Sequence, residues 1–180
     1  GFFDGPVDHL FAMPVLVDYV RGRVDLANAV IVSPDAGRIR VAEKWSTKLG
    51  GCPLAFVHKT RDTTRPNVAV ANRVVGEVAG KECVLVDDMI DTAGTITEAI
   101  KVLTNAGAKK VIVAATHGIL SDPAVRRLGE SGATEVVITD TLPVSAEKRF
   151  PSLTILSIAP LLARAILEVF EDGSVTSLFT

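Results

Sequence analysis

The sequence predicts an α/β protein: an open, mainly parallel twisted sheet with helices on both faces and a mobile loop or hairpin attached to it. Three observations carry this expectation. Short Val- and Ile-rich runs recur that are apolar on both faces, as strands buried within a parallel sheet are. Patterns with the spacing of amphipathic helices lie between most of them. Polar residues then gather at the carboxyl ends of the runs.

The opening, "GFFDGPVDHL", lacks an initiator methionine and reads as cut from a longer chain, so residues 1–20 are expected to be a remnant of a preceding domain or an interface segment. Residues 21–180 form the main domain. "AVIVSP" is its first strand, and Val41, Ala42, Trp45 and Leu49 share one face of the helix that follows. "PLAFVH" is the next strand. The polar stretch "TRDTTRPNVAVANR", Thr60 to Arg73, contains a proline and precedes the strand-like "VVGEV"; it predicts the mobile loop and hairpin, of the kind that closes over sites. "CVLVDD" leads to a helix with Ile96, Ala99, Ile100 and Leu103 on one face, stopped by Gly107. "KVIVAATH" is followed by a helix opened at Asp122-Pro123, then by "EVVITD" and "LTILSI". Leu162, Ala165, Ile166 and Val169 repeat the helical spacing near the C-terminus. There is no internal repeat and no low-complexity segment.

Composition narrows the function. The 180 residues suit one compact domain, and a formal charge of -2 leaves no electrostatic footprint for nucleic acid. Few aromatic residues argue against platforms for single strands. No apolar run reaches the length of a membrane span. Cys52 and Cys83 are the only cysteines, without a CxxC, which suits a reduced cytoplasmic protein.

In open parallel sheets, ligands bind outside the carboxyl ends of the strands. Those ends hold Ser33 and Asp35, His58 and Lys59, Asp87 and Asp88, Thr116 and His117, and Thr139 and Asp140. In "VLVDDMIDTAGT", Val84 to Thr95, a strand delivers two carboxylates, and the helix beginning near Thr95 offers unpaired N–H groups and its positive dipole end. Gly94 allows close backbone approach, and Thr92 and Thr95 add hydroxyls, making a phosphate cradle. Carboxylates beside a phosphate would repel it unless they bind something else, and vicinal hydroxyls fit. A ribose 5-phosphate moiety has that shape. The alternative is that Asp91 or Thr92 simply caps the helix. The dinucleotide and Walker phosphate motifs are absent.

At these residues the sequence resembles the phosphoribosyl-pyrophosphate (PRPP) loop of the type I phosphoribosyltransferase fold. "GFFDGPVDHL", "VSPDAGRIRVAEKWS", "FVHKTR", "AATHGILSDPA" and "SVTSLF" narrow the resemblance to the ribose-phosphate diphosphokinases, or PRPP synthetases. It covers essentially all 180 residues but only the C-terminal half, or slightly more, of a family member. In the family the N-terminal half carries much of the ATP site and a metal-binding histidine, so catalysis by this chain alone is in question.

The resemblance implies transfer of the diphosphoryl group of ATP to the C1 hydroxyl of ribose 5-phosphate, with Mg2+, giving PRPP and AMP for nucleotide, histidine and tryptophan biosynthesis. Carried over by motif, Asp87, Asp88, Asp91, Thr92, Ala93, Gly94 and Thr95 hold ribose 5-phosphate. Asp35, Ala36 and Gly37 serve the diphosphate and metal region, and Lys59 and Arg61 are the catalytic pair. Asp4 and Asp8 match acidic positions linked to metal binding. Alternate strand residues point the same way, so Lys59 and Arg61 could face the ligand together; a bare K-x-R is otherwise a solvated loop tip. Asp91 is a candidate general base. His117 either lines the nucleotide site or does not, and Trp45 is read as helix core or a subunit contact. "SVTSLF" is read as part of a regulatory phosphate site between subunits or as a terminal strand. The family implies self-association into a hexamer. The rival readings are a base phosphoribosyltransferase, a regulatory subunit, and a fragment that only binds the sugar phosphate.

Overall fold

The computed structural model describes residues 3–59 and 72–179. Strands β1 (Ala29–Ser33), β2 (Leu54–Lys59), β3 (Asn72–Val75), β4 (Glu82–Ile90), β5 (Lys110–Gly118), β6 (Glu135–Thr139) and β7 (Leu153–Leu156) form one sheet, in the order β3-β2-β1-β4-β5-β6-β7. All neighbours are parallel except β2 and β3, which pair antiparallel. The helices are α1 (Met13–Arg21), α2 (Ile39–Lys48), α3 (Gly94–Asn105), α4 (Ala124–Gly129) and α5 (Ala159–Phe170).

The two-faced apolar runs do what their pattern demands. In β4, Cys83 and Leu85 join Val111 and Val113 of β5 beneath Ile96, Ile100, Leu103 and Leu128 of α3 and α4. The intervening Val84 and Val86 join Ile112 and Ala114 on the opposite face, under Leu16, Val17 and Val20 of α1 and Ala42 and Trp45 of α2. Alternation along the strand thus feeds two cores, and each fully buried Leu or Ile contributes roughly 1.5–3 kcal/mol. Trp45, 2% exposed, belongs to the second core, as the helix-core reading expects.

Several local expectations need correcting. The sequence expectation lacks helix α1: Pro14 in its first turn and the stripe Leu16, Val17, Val20 place it on the sheet. Asn72 and Arg73, expected in the polar loop, belong to β3, opposite Lys59 and His58; the rest of that loop lies outside the described residues. The apolar face read on α5 is mostly in water, with Ile166 69% exposed. Only Ala165 of that helix is buried, against Leu10, Leu161, Val175 and Leu178. "SVTSLF" is not a strand; Val175–Phe179 forms a 3-10 helix. Among the described residues, no helix is long and apolar enough to cross a membrane.

Strand order creates the crevice. From β1 the chain runs outward to β2 and β3, then returns to β4 on the other side of β1. Pairing between β1 and β4 stops at Val32 and Leu85, and β1 ends at Ser33. Strand β4 continues to Ile90 along β5 alone. Asp87 and Asp88 therefore lie past the end of β1, where the connections diverge and leave room for a ligand.

Candidate active site

A cleft of about 240 Å³ opens at this point, lined by Asp35 and Arg38 on one side and by Asp87 through Ile96 on the other. Its first wall begins where β1 runs out. Ser33, fully buried, donates through Oγ to the Asp35 carbonyl at 2.6 Å. Asp35 then caps the 3-10 turn Ala36–Arg38, its Oδ1 accepting from the Gly37 N–H at 2.8 Å. That capped turn brings Arg38 back over the end of β4. Its Nη2 lies 2.6 Å from Asp88 Oδ2 and its Nε 3.7 Å from Asp87 Oδ1.

The second wall is the segment from β4 into α3. Ala93 stands at the N-cap of α3 in the left-handed region, with φ 60° and ψ 10°. A non-glycine residue there is held against a strain of roughly 1–2 kcal/mol. No side chain caps the helix, so the reading of Asp91 or Thr92 as a simple cap fails. The first bond of the helix from this end is Thr97 N–H to the Ala93 carbonyl, at 2.9 Å. The N–H groups ahead of it keep the anion-binding potential of a free helix start. Arg127 of α4 donates to the Thr92 carbonyl at 3.0 Å and steadies the turn from behind. A Cβ built on Gly94 would meet Arg127 only at 3.5 Å, so the packing of the chain itself leaves space for a side chain there.

Electrostatics separate the two acids. Asp87 is pushed up to about 6, chiefly by burial; its hydrogen bond and charge interaction with Asp88 act in the same direction. The Asp88 backbone N–H, 2.8 Å from Asp87 Oδ1, and the Arg38 charge oppose the rise. Asp88 Oδ1 is buried and without a hydrogen-bond partner among the described residues.

The structure therefore brings Asp35, Asp87, Asp88, Asp91 and Thr92–Thr95 together. Ala36 and Gly37 are exposed in the turn beside them. Lys59 closes β2, adjacent to β1, which places its backbone on the same edge of the sheet. Arg61 lies outside the described residues. Asp4 and Asp8 are exposed in the opening segment and do not line the cleft. His117 sits at the end of β5 with Nδ1 2.8 Å from Thr141 Oγ1, outside the cleft. His9 stacks on Phe11, their ring centroids 4.6 Å apart. Both line a wider apolar hollow of about 730 Å³ that meets the cleft at Arg38 and the two acids.

Sequence reasoning missed Arg38 and Arg127. Arg38 follows the "SPDAG" turn directly, and a cation next to a turn that faces an acidic pair was the available signal. Arg127 lies 35 residues from Thr92, and no local pattern announces that contact.

For Mg2+, the donor chemistry fits. The ion binds hard oxygens, commonly one or two carboxylates together with substrate phosphates. Among the described residues no group of three or more His, Cys, Asp or Glu is placed to hold a metal ion by itself, but Asp35, on the wall facing the free helix start, supplies one carboxylate to the cleft.

Comparison with known proteins agrees with this geometry. The phosphoribosyl synthetase-associated domain matches residues 57–180. A ribose-phosphate pyrophosphokinase of Bifidobacterium longum is 72% identical over 181 residues, covering 99% of this chain and 53% of its own length. One of Mycobacterium tuberculosis is 62% identical over 179 residues, covering 99% of this chain and 55% of its own. The crystal structure of phosphoribosylpyrophosphate synthetase from Mycobacterium smegmatis superposes with a TM-score of 0.85 at 58% identity, over 96% of this chain and 55% of that one. The Giardia lamblia APRTase complexed with 9-deazaadenine shares the fold, with a TM-score of 0.54 at 15% identity, over 71% of this chain and 77% of that one. The chain spans about half the length of the curated relatives it matches.

Proposed function

The chain belongs to the ribose-phosphate pyrophosphokinase family, and from that membership we propose that it forms the ribose 5-phosphate half of an enzyme transferring the diphosphoryl group of ATP to the sugar. The products are PRPP and AMP. The observation that carries this reading is the cleft itself: an acidic pair beyond the end of β1, followed directly by an uncapped helix start.

In this reading the N–H groups at the start of α3, with the Thr92 and Thr95 hydroxyls, hold the 5-phosphate. Asp87 and Asp88 accept from the vicinal hydroxyls of the sugar. The C1 oxygen attacks the β-phosphorus of ATP, the bond from that phosphorus to the α,β-bridging oxygen breaks, and AMP leaves with the electron pair. The hydroxyl proton passes to a base, for which Asp91, at the cleft wall, is the candidate. Lys59 and Arg61 supply positive charge to the transferring group, since phosphoryl chemistry rests on positioning and charge stabilisation. When bound, Mg2+ adds charge neutralisation on the phosphate oxygens, with Asp35 as its carboxylate from this chain; Asp4 and Asp8 are weaker candidates. Residues 1–20 are read as a remnant of a preceding domain or as an interface segment. The location is cytoplasmic and the assembly oligomeric, hexameric if it follows the family.

A base phosphoribosyltransferase is not favoured, because the high-identity relatives bear the pyrophosphokinase name. Phosphorus NMR of the chain with ATP, Mg2+ and ribose 5-phosphate tests the proposal. Joint appearance of PRPP and AMP supports transfer. Without turnover, calorimetric binding of ribose 5-phosphate supports the half-enzyme reading, and absence of both overturns the assignment.

A further inference from the structure

We propose that Arg38 is a positioning residue for the sugar, its guanidinium pairing with the Asp87 and Asp88 carboxylates at the end of β4 and holding both in the orientation that meets the ligand. The inference rests on the ribose 5-phosphate reading and deepens it, since nothing in the sugar-phosphate motif itself involves Arg38.

The geometry is that of a fork. Nη2 engages Asp88 at 2.6 Å while Nε stands 3.7 Å from Asp87 Oδ1. One side chain thereby lies within ion-pair distance of two successive strand residues. The other end of the side chain is equally fixed. Its Cα closes a 3-10 turn held by the Asp35 cap and by Ser33. The Arg38 N–H also bonds the Asp35 carbonyl, at 3.4 Å.

Charge argues that the clamp stays when the ligand binds. Vicinal hydroxyls are neutral, so they satisfy carboxylate lone pairs without offsetting two adjacent negative charges in a half-buried place. Arg38 is the only cation among the described residues lining the cleft. The other charged groups around the pair are Asp35 and Asp91 on the cleft walls, with Lys44, Lys48 and His9 on the adjoining hollow. Asp35 and Asp91 add negative charge. The Arg38 contacts fall on Asp88 Oδ2 and on Asp87 Oδ1, the oxygen already bonded to the Asp88 N–H.

The test is calorimetric titration of ribose 5-phosphate into the full chain between pH 5.5 and 8.5, for the parent, Arg38→Ala, Arg38→Gln and Arg38→Lys. Circular dichroism identifies which variants are folded, and Arg38→Gln serves if the alanine variant is not. The ligand phosphate titrates near pH 6 in every experiment, so the displacement between variants is the readout. Loss of the clamp should weaken binding severalfold at pH 7 and move the pH of half-maximal affinity upward, since the Arg38 charge lowers the Asp87 pKa. Arg38→Lys should restore most of the pH midpoint while binding more weakly than the parent. An unmoved midpoint in the neutral variants, or a loss equal at every pH, overturns this inference alone. Failure of the parent to bind ribose 5-phosphate at any pH overturns the substrate reading and this inference with it.

Discussion

Replacing Asp87 with asparagine should make the protein more stable at neutral pH while weakening its hold on the sugar. The folded state raises the Asp87 pKa from 3.8 to about 6, so it retains a proton that the unfolded chain has already released. Stability from this group is therefore fully present below about pH 4 and is lost as pH rises through about 6. Two pKa units correspond to about 3 kcal/mol. Solvent reaching the open cleft screens part of this, and about 2 kcal/mol is the working value. The stabilising contribution of Arg38 is already inside that net shift. Asp87→Asn removes the ionisation and nearly keeps the shape, so its advantage should be near zero at pH 4 and reach about 2 kcal/mol at pH 7.5. For a chain of this size the midpoint of thermal unfolding should rise by roughly 4–8 °C at pH 7.5. Urea unfolding of parent and variant at both pH values measures the difference directly. An unchanged or lowered stability at pH 7.5, or a gain of the same size at pH 4, would refute the assignment of a strained carboxylate. The companion readout is the Kd for ribose 5-phosphate, which should rise about tenfold or more through loss of an acceptor.

Three further expectations follow from the same geometry. Gly94→Ala should leave unfolding within about 0.5 kcal/mol, because the Cβ has room, yet reduce ribose 5-phosphate affinity; undiminished affinity would show that the helix start is not approached closely. Lys59→Ala, in a catalytically complete enzyme, should abolish turnover by phosphorus NMR while ribose 5-phosphate binding persists, and unchanged turnover would remove Lys59 from the catalytic pair. Leu103→Ala, fully buried between α3 and the sheet, should cost about 2–5 kcal/mol in urea unfolding, and a value below 1 would mean that this core collapses around the gap.

The sheet was legible because its strands are apolar on both faces, a pattern that only burial on both sides explains; Cys83–Val86 shows it residue by residue. The acidic pair and the helix start were legible for a related reason, since a strand ending in carboxylates followed by a Thr- and Gly-rich turn is local chemistry. Arg38 was not, because its partners are 49 and 50 positions away and meet it only through strand order. Helix α1 was less legible because its buried stripe is short, Leu16, Val17 and Val20 alone. Helix α5 failed for the opposite reason. An apolar helical face states that burial is favourable but says nothing of the surface that provides it, and in this chain only Ala165 finds one.

That helix has a practical consequence. Ile166, Leu167, Val169 and Phe170 all stand in water, with Phe170 85% exposed, so the free chain presents a greasy edge. Solubility should consequently be the first property to fail as concentration rises, and ammonium sulfate should precipitate the chain early, because excluded salts favour whatever hides apolar surface. The same exposure makes the edge easy to edit. Polar replacements at Ile166 and Phe170 should keep the chain dispersed in light scattering without disturbing either core of the sheet.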